Sequence, residues 1–240
     1  MNAVAKPKAA ASVILLRPAQ PQGFEVLLTR RRDETPSPDE RYCFPGGSVH
    51  ESDYADGMLR RCRGLSAGGA RKIVGAHLPP RQALGFWVAA VRELFEEVGV
   101  LLAVKENGEP VTSDAELNVR LLEIRAAQRD GALDFPALME RENLFCDAAR
   151  LAYFSHWQTP TEFSRGFDAR FFLAAMPVKQ TPPALPYEVA HSLWLAPDRA
   201  LQLFNRGELP MTFPTFVSLR TLADFDIVKS ALRAYQLELS

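Results

Sequence analysis

The first hydrophobic segment of the chain is a continuous run rather than an alternating one. Val13 to Leu16 are apolar residues in succession within the segment 10–17. Such a run is typical of a strand that is covered on both faces. A turn at 18–23 leads to a second apolar segment at 24–29, so we predict two strands that pair as a hairpin or lie as near neighbours. Residues 1–9 lack such a pattern and are predicted to form a flexible tail.

The central segment repeats its apolar residues with a helical period instead. The positions that share one face are Ala90, Val91, Leu94, Phe95 and Val98. Gly99 suits the left-handed conformation that follows a helix end. Pro79 and Pro80 precede the segment, and proline is tolerated in the first turn of a helix. We therefore predict a long helix that is approached through the two prolines and ends before Gly99.

The rest of the chain mixes helical and strand patterns, which indicates an α/β fold. Ser113 and Glu116 form a capping-box pattern for a helix over 114–128. Asp134 and Pro136 begin another helix that ends near Glu142. Further strands are predicted at 100–104, 151–156, 167–176 and 188–195, and further helices at 197–205, from Pro214 onward and at 227–237.

Composition narrows the class of protein. The 240 residues are 47% hydrophobic and 24% charged, which suits a single domain over 10–240. The net charge of −1 gives no basic excess, so we expect neither nucleic acid nor a membrane as a partner. No apolar run reaches membrane-spanning length. Cys43, Cys62 and Cys146 are widely spaced, which favours a reducing cytoplasm over a disulfide framework or a zinc site.

The candidate chemistry lies on the central helix. Glu93, Glu96 and Glu97 share a face because residues three and four apart are neighbours on a helix. Arg92 lies one turn before Glu96 and offsets part of their charge. A divalent cation such as Mg²⁺ would offset more, since hard cations prefer carboxylate oxygens. The alternative is a solvated acidic face on a surface helix.

The segment upstream of the helix distinguishes these alternatives. Phe44-Pro45-Gly46-Gly47, Asp53 and the segment from Arg92 to Val100 resemble the Nudix hydrolase signature, G-x5-E-x7-R-E-U-x-E-E-x-G-U, where U is bulky and aliphatic. The second half matches at every fixed position. Asp53 stands where the family has glutamate, and 38 residues rather than seven separate it from Arg92. We place the 31 additional residues in an insertion at roughly 54–84, because a loop can grow outward at modest entropic cost.

The resemblance implies a Nudix α/β/α sandwich with a mixed sheet, to which the insertion and the C-terminal half add helices. An interrupted signature, the aspartate at position 53 and the segment FPGG are similar to the coenzyme A diphosphatase branch of the family. The segment FDARFFLAAMP at 167–177 resembles both the coenzyme A and the nucleotide-sugar diphosphatase branches, and PTF at 214–216 resembles the coenzyme A branch.

The same resemblance implies roles for individual residues. The implied ligands of Mg²⁺ or Mn²⁺ are the carboxylates of Glu93, Glu96 and Glu97 and the carbonyl of Gly47. Arg92 would orient one of these carboxylates through an ion pair, and Asp53 would have a similar supporting role. A further carboxylate outside the signature, Glu188 or Glu162, would act as an additional metal ligand or as the general base; a surface acid is the alternative for each.

Candidate substrate-binding residues lie before and within the glycine turn: Arg30, Arg32, Arg41, Phe44 and Gly46. One guanidinium group can bind two phosphate oxygens at once. The alternative for any single arginine is a solvated position at the end of the strand. Trp157 and Phe163 are candidates to stack an adenine, with core or rim packing as the alternative. His50 and His77 are interpreted as surface histidines because neither has an identified partner.

The resemblance implies metal-dependent hydrolysis of a pyrophosphate in a nucleoside diphosphate linked to another group. The leading substrate is coenzyme A or an acyl-CoA, cleaved to 3′,5′-ADP and a 4′-phosphopantetheine. The alternatives are ADP-ribose, NADH or another dinucleotide, and a Nudix module that binds a nucleotide without catalysis. The role of the insertion remains open: it would act as a lid or part of the pocket wall, or else as a packing element or dimer contact. The expected partner is a small nucleotide, and relatives that dimerise suggest a homodimer.

Overall fold

The computed structural model of the protein describes residues 7–31, 41–111, 123, 125, 134–160, 166–178, 180 and 189–236. In that part of the chain the strands are β1 (Lys8–Pro18), β2 (Phe24–Arg31), β3 (Gly46–Ser48), β4 (Cys62–Arg63), β5 (Ala103–Lys105), β6 (Leu144–Asp147), β7 (Ala152–Gln158), β8 (Phe167–Ala175) and β9 (Val189–Leu195). The helices of the same residues are α1 (Asp56–Arg60), α2 (Ala67–Val74), α3 (Pro80–Val98), α4 (Phe135–Arg141), α5 (Pro197–Asn205), α6 (Phe213–Leu222) and α7 (Val228–Tyr235).

The main sheet is mixed. Its strands follow the order β7-β8-β1-β2-β9, and β3 pairs with β1 at the side of this path. The β1–β2 pair is antiparallel, which confirms the predicted hairpin. The β1–β8 pair is parallel over the whole of β8, so the start of the chain is paired to a segment of its C-terminal half. A smaller sheet of order β4-β6-β5 lies beside the main one.

Helices cover both faces of the main sheet. On one face Ala11, Val13 and Leu15 of β1 share a core with the apolar residues of α3. On the other face Ile14 and Leu16 share a core with residues from α5, α6 and α7. The run from Val13 to Leu16 is fully buried, as its continuous hydrophobicity predicts. The arrangement is the expected α/β/α sandwich with a mixed sheet.

Helix α3 is the longest of the described helices and nearly all of its residues are buried. It begins at Pro80, where a proline costs no hydrogen bond because the first backbone N–H groups of a helix have no partner within it. It ends at Gly99, which has a φ of 72° and donates its backbone N–H to the Phe95 carbonyl at 2.9 Å. Both predicted ends of this helix are confirmed.

Some predicted boundaries are wrong. β1 begins at Lys8, so Lys8 and Ala9 belong to the sheet rather than to the tail, because Lys8 N–H is already bonded to the Gly166 carbonyl at 2.9 Å. Residues 80–84, predicted within the insertion, form the first turn of α3. The strand predicted at 100–104 is displaced to β5, Ala103–Lys105.

Other predicted elements fall partly outside the described residues. Of the helix predicted at 114–128, the described residues are Glu123 and Arg125, and both are helical. Residues 1–6 and 237–240 also lie outside the described part of the chain. Among the described helices, none combines the length and the hydrophobicity that crossing a bilayer requires.

Candidate active site

Arg92 of α3 is the centre of a buried ion-pair network. Its guanidinium donates from Nε and Nη2 to the two carboxylate oxygens of Asp53, at 2.8 and 2.9 Å. Nη1 donates to Glu93 at 2.7 Å and to Glu96 at 2.8 Å. Nη2 also donates to the Ser48 carbonyl at 2.7 Å. The predicted role of Arg92 as an orienting residue therefore has a geometric basis, since one planar group fixes three carboxylates.

The pair between Asp53 and Arg92 also closes the base of the insertion. Asp53 ends the first half of the signature and Arg92 begins the second, yet their side chains are in bidentate contact inside the protein. Asp53 accepts a further hydrogen bond from the His50 backbone N–H at 2.8 Å. The residues between them can extend outward without separating the two halves of the site.

The glycine turn is held against the same helix. Gly46 N–H donates to Glu97 at 3.1 Å, and the Ser48 carbonyl accepts from Arg92. A Cβ on Gly46 would overlap the Ala11 carbonyl, and a Cβ on Gly47 would lie 2.5 Å from the Glu93 carboxylate. Gly46 is therefore required by the close approach of the turn to the backbone of β1, whereas a side chain at position 47 would displace the Glu93 carboxylate.

The cluster contains more negative than positive charge. Asp53, Glu93 and Glu96 supply three carboxylates to the Arg92 guanidinium, and Glu97 of the same helix adds a fourth beside Gly46. Burial raises the pKa of Glu96 to about 7, although the charge and hydrogen bond of Arg92 lower it. Burial would lower the pKa of Arg92, but its bonds to Asp53 and the charges of the glutamates raise it above the ordinary value. The imbalance favours binding of an additional cation.

A divalent metal fits the chemistry of this cluster. Its side chains offer hard carboxylate oxygens, the ligands that Mg²⁺ and Mn²⁺ prefer. Among the described residues, no three acidic, histidine or cysteine side chains are already arranged as a metal cage. The reason is visible in the contacts, because Glu93 and Glu96 point to Arg92 while Glu97 accepts from Gly46.

A large cavity opens beside the cluster. Its volume is about 1100 Å³, at the upper end of the range for small-molecule sites. The acidic residues that line it are Glu93 and Glu97, next to Gly46, Gly47 and Ser48. Glu96 does not line it, and its side chain retains 28% exposure. The structure thus brings Glu93 and Glu96 to Arg92 and Glu97 to the glycine turn, and it places Glu93 and Glu97 at the cavity.

The predicted substrate-binding residues separate into two groups. Phe44 and Gly46 line the cavity, and Phe44 packs edge-on against Phe171 at 6.2 Å between ring centroids. Arg30 and Arg41 do not line it; the Arg30 guanidinium lies 5.7 Å from the Tyr42 ring, and Arg41 is exposed. Arg32, Phe163, Glu162 and Glu188 lie outside the described residues.

Several cavity residues were not singled out as functional by the sequence. His50 is exposed, as predicted for a surface histidine, and it also lines the cavity. Thr212, Phe213, Pro214 and Thr215, from the start of α6, form another part of the wall. The signals available in the sequence were the position of His50 three residues after Gly47 and the PTF segment at 214–216. Neither signal shows which side of the sheet these residues occupy.

The second half of α3 has an additional contact that the sequence did not reveal. Arg125 donates from Nη2 to the Glu96 backbone carbonyl at 2.8 Å, near the end of the helix. A cation at this position is favourable because the carbonyl end of a helix carries partial negative charge.

In the described part of the chain, the insertion does not contribute to the lining of the cavity. Among the described residues that line the cavity, none belongs to 54–84. Met58, Ala70 and Val74 of the insertion are buried in the core that contains α3. Of the alternatives for this segment, the structure supports a packing element for its described residues and places no described part of it over the cavity.

Comparisons with known proteins identify the family. The family model described as the NUDT19 Nudix domain matches residues 67–222, more than half of the chain. The chain is 30% identical to the acyl-coenzyme A diphosphatase NUDT19 of Gallus gallus and 28% identical to that of Homo sapiens. Each alignment covers 87% of this chain and 63% of the relative, so the chain spans less than two thirds of these relatives.

A solved structure supports the same assignment at the level of the fold. The crystal structure of a NUDIX hydrolase from Alicyclobacillus acidocaldarius has a TM-score of 0.73 and 23% identity, and the match covers 99% of this chain and all of that one. With the matched domain, the interrupted signature and the sandwich fold in agreement, the chain belongs to the Nudix hydrolase family, in the group that the NUDT19 Nudix domain defines.

Proposed function

We propose that the chain hydrolyses the diphosphate bond of coenzyme A or an acyl-CoA and releases 3′,5′-ADP and a 4′-phosphopantetheine. The observation that carries the proposal is the convergence of Glu93, Glu97 and the glycine turn on one large cavity. The relatives in the same family group are named as acyl-coenzyme A diphosphatases, which supports this substrate class.

Members of the Nudix family generally need divalent metal ions, and we propose Mg²⁺ or Mn²⁺ here. Glu93, Glu96 and Glu97 would hold the metal with the carbonyl of Gly47. When bound, such an ion neutralises charge on the diphosphate and lowers the pKa of a bound water.

The protein's own residues then orient and activate the reactants. Arg92 holds Glu93 and Glu96 in place while Asp53 fixes the guanidinium. A carboxylate outside the signature, Glu188 or Glu162, would accept a proton from the attacking water. The water oxygen forms a bond to one phosphorus, and the bridging P–O bond on the opposite side breaks.

The lining of the cavity explains why a cation would be needed for substrate binding. Among the described lining residues there is no lysine or arginine, whereas Glu93 and Glu97 are acidic. A diphosphate that entered this cavity alone would be repelled by the two carboxylates. His50 also lines the cavity, and we propose that its ring N–H donates a hydrogen bond to a phosphate oxygen.

Product analysis tests the proposed function. The purified protein would be incubated with Mg²⁺ or Mn²⁺ and separately with coenzyme A, acetyl-CoA, ADP-ribose, NADH or a diadenosine polyphosphate. We expect 3′,5′-ADP from coenzyme A and its ester at rates well above those of the other substrates. Faster hydrolysis of ADP-ribose or NADH would instead identify a dinucleotide or ADP-ribose pyrophosphatase, and binding without turnover would identify a non-catalytic module.

A metal-removal control accompanies the panel. Chelation by EDTA should abolish hydrolysis, and excess Mg²⁺ or Mn²⁺ should restore it. Hydrolysis that is unchanged in EDTA would contradict the metal-dependent mechanism.

The remaining predictions concern the surroundings of the protein. None of Cys43, Cys62 and Cys146 forms a disulfide, and we propose a reducing compartment such as the cytoplasm. The homodimer and the absence of nucleic-acid and membrane partners stay predictions.

A further inference from the structure

Three aromatic side chains form the outer part of the cavity wall. This aromatic rim consists of Trp157 at the end of β7, Phe167 at the start of β8 and Phe213 at the start of α6. Phe213 is 65% exposed and Phe167 is 48% exposed, and both are among the few large hydrophobic residues exposed in the described part of the chain. Apolar residues that are exposed together at a cavity mark a surface for a ligand rather than for the core.

The orientation of the rings argues against a site for a planar base. Trp157 and Phe213 have ring centroids 5.7 Å apart and planes at 89°. Phe44 and Phe171, which also line the cavity, are likewise nearly perpendicular, with planes at 80°. A purine held by stacking between two side chains needs faces that are roughly parallel. Edge-to-face pairs instead present an uneven apolar surface, which suits a flexible aliphatic chain.

The charges of the wall point to the same kind of ligand. Pro160 and Pro214 lie next to the aromatic rim in the lining, and no described lysine or arginine accompanies them. The 3′-phosphate of the nucleotide half of coenzyme A is strongly anionic and would lose hydration at such a wall without gaining a cationic partner. The methylene groups of an acyl chain have no polar hydration to lose there, and their burial is favourable.

We propose that the aromatic rim binds the acyl chain of acyl-CoA and makes longer thioesters better substrates than free coenzyme A. The inference rests on the proposed function, since it assigns one half of that substrate to one part of the cavity. Glu93 and Glu97 line the same cavity, so a single ligand can contact both the carboxylates and the aromatic rim.

The ratio of kcat/KM for octanoyl-CoA to that for free coenzyme A measures this contribution. It would be determined for the wild type, Phe213→Ala, Phe213→Leu and the control Ile227→Ala. Ile227 is 52% exposed and does not line the cavity. Thermal unfolding would establish that each variant is folded.

We expect Phe213→Ala to lower the ratio about tenfold, because several methylene groups lose apolar contact. Phe213→Leu should retain most of the ratio, since an aliphatic side chain still covers an acyl chain but cannot stack with a base. Ile227→Ala should leave the ratio unchanged. An unchanged ratio in Phe213→Ala would overturn the inference, and equal losses for both substrates would assign the aromatic rim to the part that they share.

A binding experiment separates this inference from the proposed function. Equilibrium dissociation constants for coenzyme A and octanoyl-CoA would be measured by calorimetry with Glu97→Gln and with Glu97→Gln/Phe213→Ala, so that turnover does not enter. Tighter binding of octanoyl-CoA that is lost about tenfold in the double variant supports the acyl-chain site even if the wild type fails to hydrolyse coenzyme A. Equal affinities for the two ligands in Glu97→Gln would overturn the site even if hydrolysis is observed.

Discussion

The insertion and the C-terminal part of the cavity wall differ in two respects: their distance from the signature along the chain, and whether they line the cavity. The insertion at 54–84 interrupts the catalytic signature itself, yet none of its residues lines the cavity in the described structure. Trp157, Phe167 and Phe213 lie more than sixty residues beyond Arg92 in the chain, yet they line the same cavity as Glu93. Proximity to the signature in sequence is therefore no guide to proximity to the substrate.

The physical basis of this difference is the way each segment is attached to the sandwich. The insertion leaves and returns at Asp53 and Arg92, whose side chains are joined in the buried network. Between these points it packs against α3. In the C-terminal wall, Trp157 and Phe167 are carried by strands of the main sheet, because β8 pairs with β1 and β7 pairs with β8. Phe213 begins α6, and the preceding Thr212 donates its backbone N–H to the Tyr42 carbonyl at 3.1 Å. The sheet fixes that wall next to the glycine turn, which pairs with β1 as well.

The largest expected effect is on kcat, after substitution of Glu97 in the cavity lining. Glu97→Gln removes a carboxylate charge but keeps an oxygen that can accept the Gly46 N–H. If Glu97 is a metal ligand, we expect kcat to fall about 10³-fold or more while the melting temperature changes little. Steady-state hydrolysis of coenzyme A and thermal unfolding are the measurements. Wild-type turnover in this variant would show that the site assignment is wrong.

The second effect is on stability, and it tests the Asp53–Arg92 ion pair that joins the two ends of the insertion. Arg92→Met leaves the buried Asp53 and Glu93 and the partly exposed Glu96 without their common cation, so we expect the free energy of unfolding to fall by about 3–5 kcal/mol. Denaturant titration measures the change. Arg60→Met on the exposed surface of the insertion is the control, with an expected change within about 0.5 kcal/mol. Similar losses in both variants would contradict the special role of the buried network.

The third effect separates stability from activity in the insertion. Met58 is buried against α3, so Met58→Ala should lower the free energy of unfolding by about 2–5 kcal/mol. Met58→Leu conserves most of the volume and should cost less than about 1.5 kcal/mol. Below the melting transition we expect kcat/KM of Met58→Ala to equal that of the wild type, since the cavity is lined elsewhere. A large loss of kcat/KM in folded protein would show that the insertion is coupled to the cavity.

The smallest expected effect is on KM. It is tested by comparing a histidine of the cavity lining with a histidine of the insertion. His50 lines the cavity, whereas His77 is an exposed residue of the insertion that does not. His50→Asn should raise KM for coenzyme A about tenfold through loss of a hydrogen bond to a charged phosphate. His77→Asn should leave both kcat and KM unchanged. Equal KM values in the two variants would remove His50 from the binding site.

Much of the fold was predictable from the sequence because its signals are local. The apolar run at Val13–Leu16 predicted a strand buried on both faces, and the helical period before Gly99 predicted α3. The strands at β7 and β8 and the helix at 197–205 were also placed within a few residues. The predictions failed mainly at boundaries, where Lys8 joins the sheet through a partner more than 150 residues away. Local patterns do not contain that partner.

The candidate site was predictable only in part. Helix geometry was sufficient to place Glu93, Glu96 and Glu97 on one face, and the structure brings all three next to the glycine turn or Arg92. It was not sufficient to show that Glu96 would lie outside the cavity lining. Nor was the arginine-rich strand end sufficient to predict that Arg30 would lie against Tyr42 rather than line the cavity. Side-chain direction depends on neighbours that come from other elements.

The sequence by itself determined the longer strands of the main sheet, the carboxylate helix and the family signature, because each depends on the spacing of residues within one segment. The tertiary structure decided that the insertion lies away from the cavity, that His50 lies within its lining and that Trp157, Phe167 and Phe213 form one apolar surface. These features depend on contacts between segments far apart in the chain, which are fixed by sheet pairing and core packing rather than by periodicity.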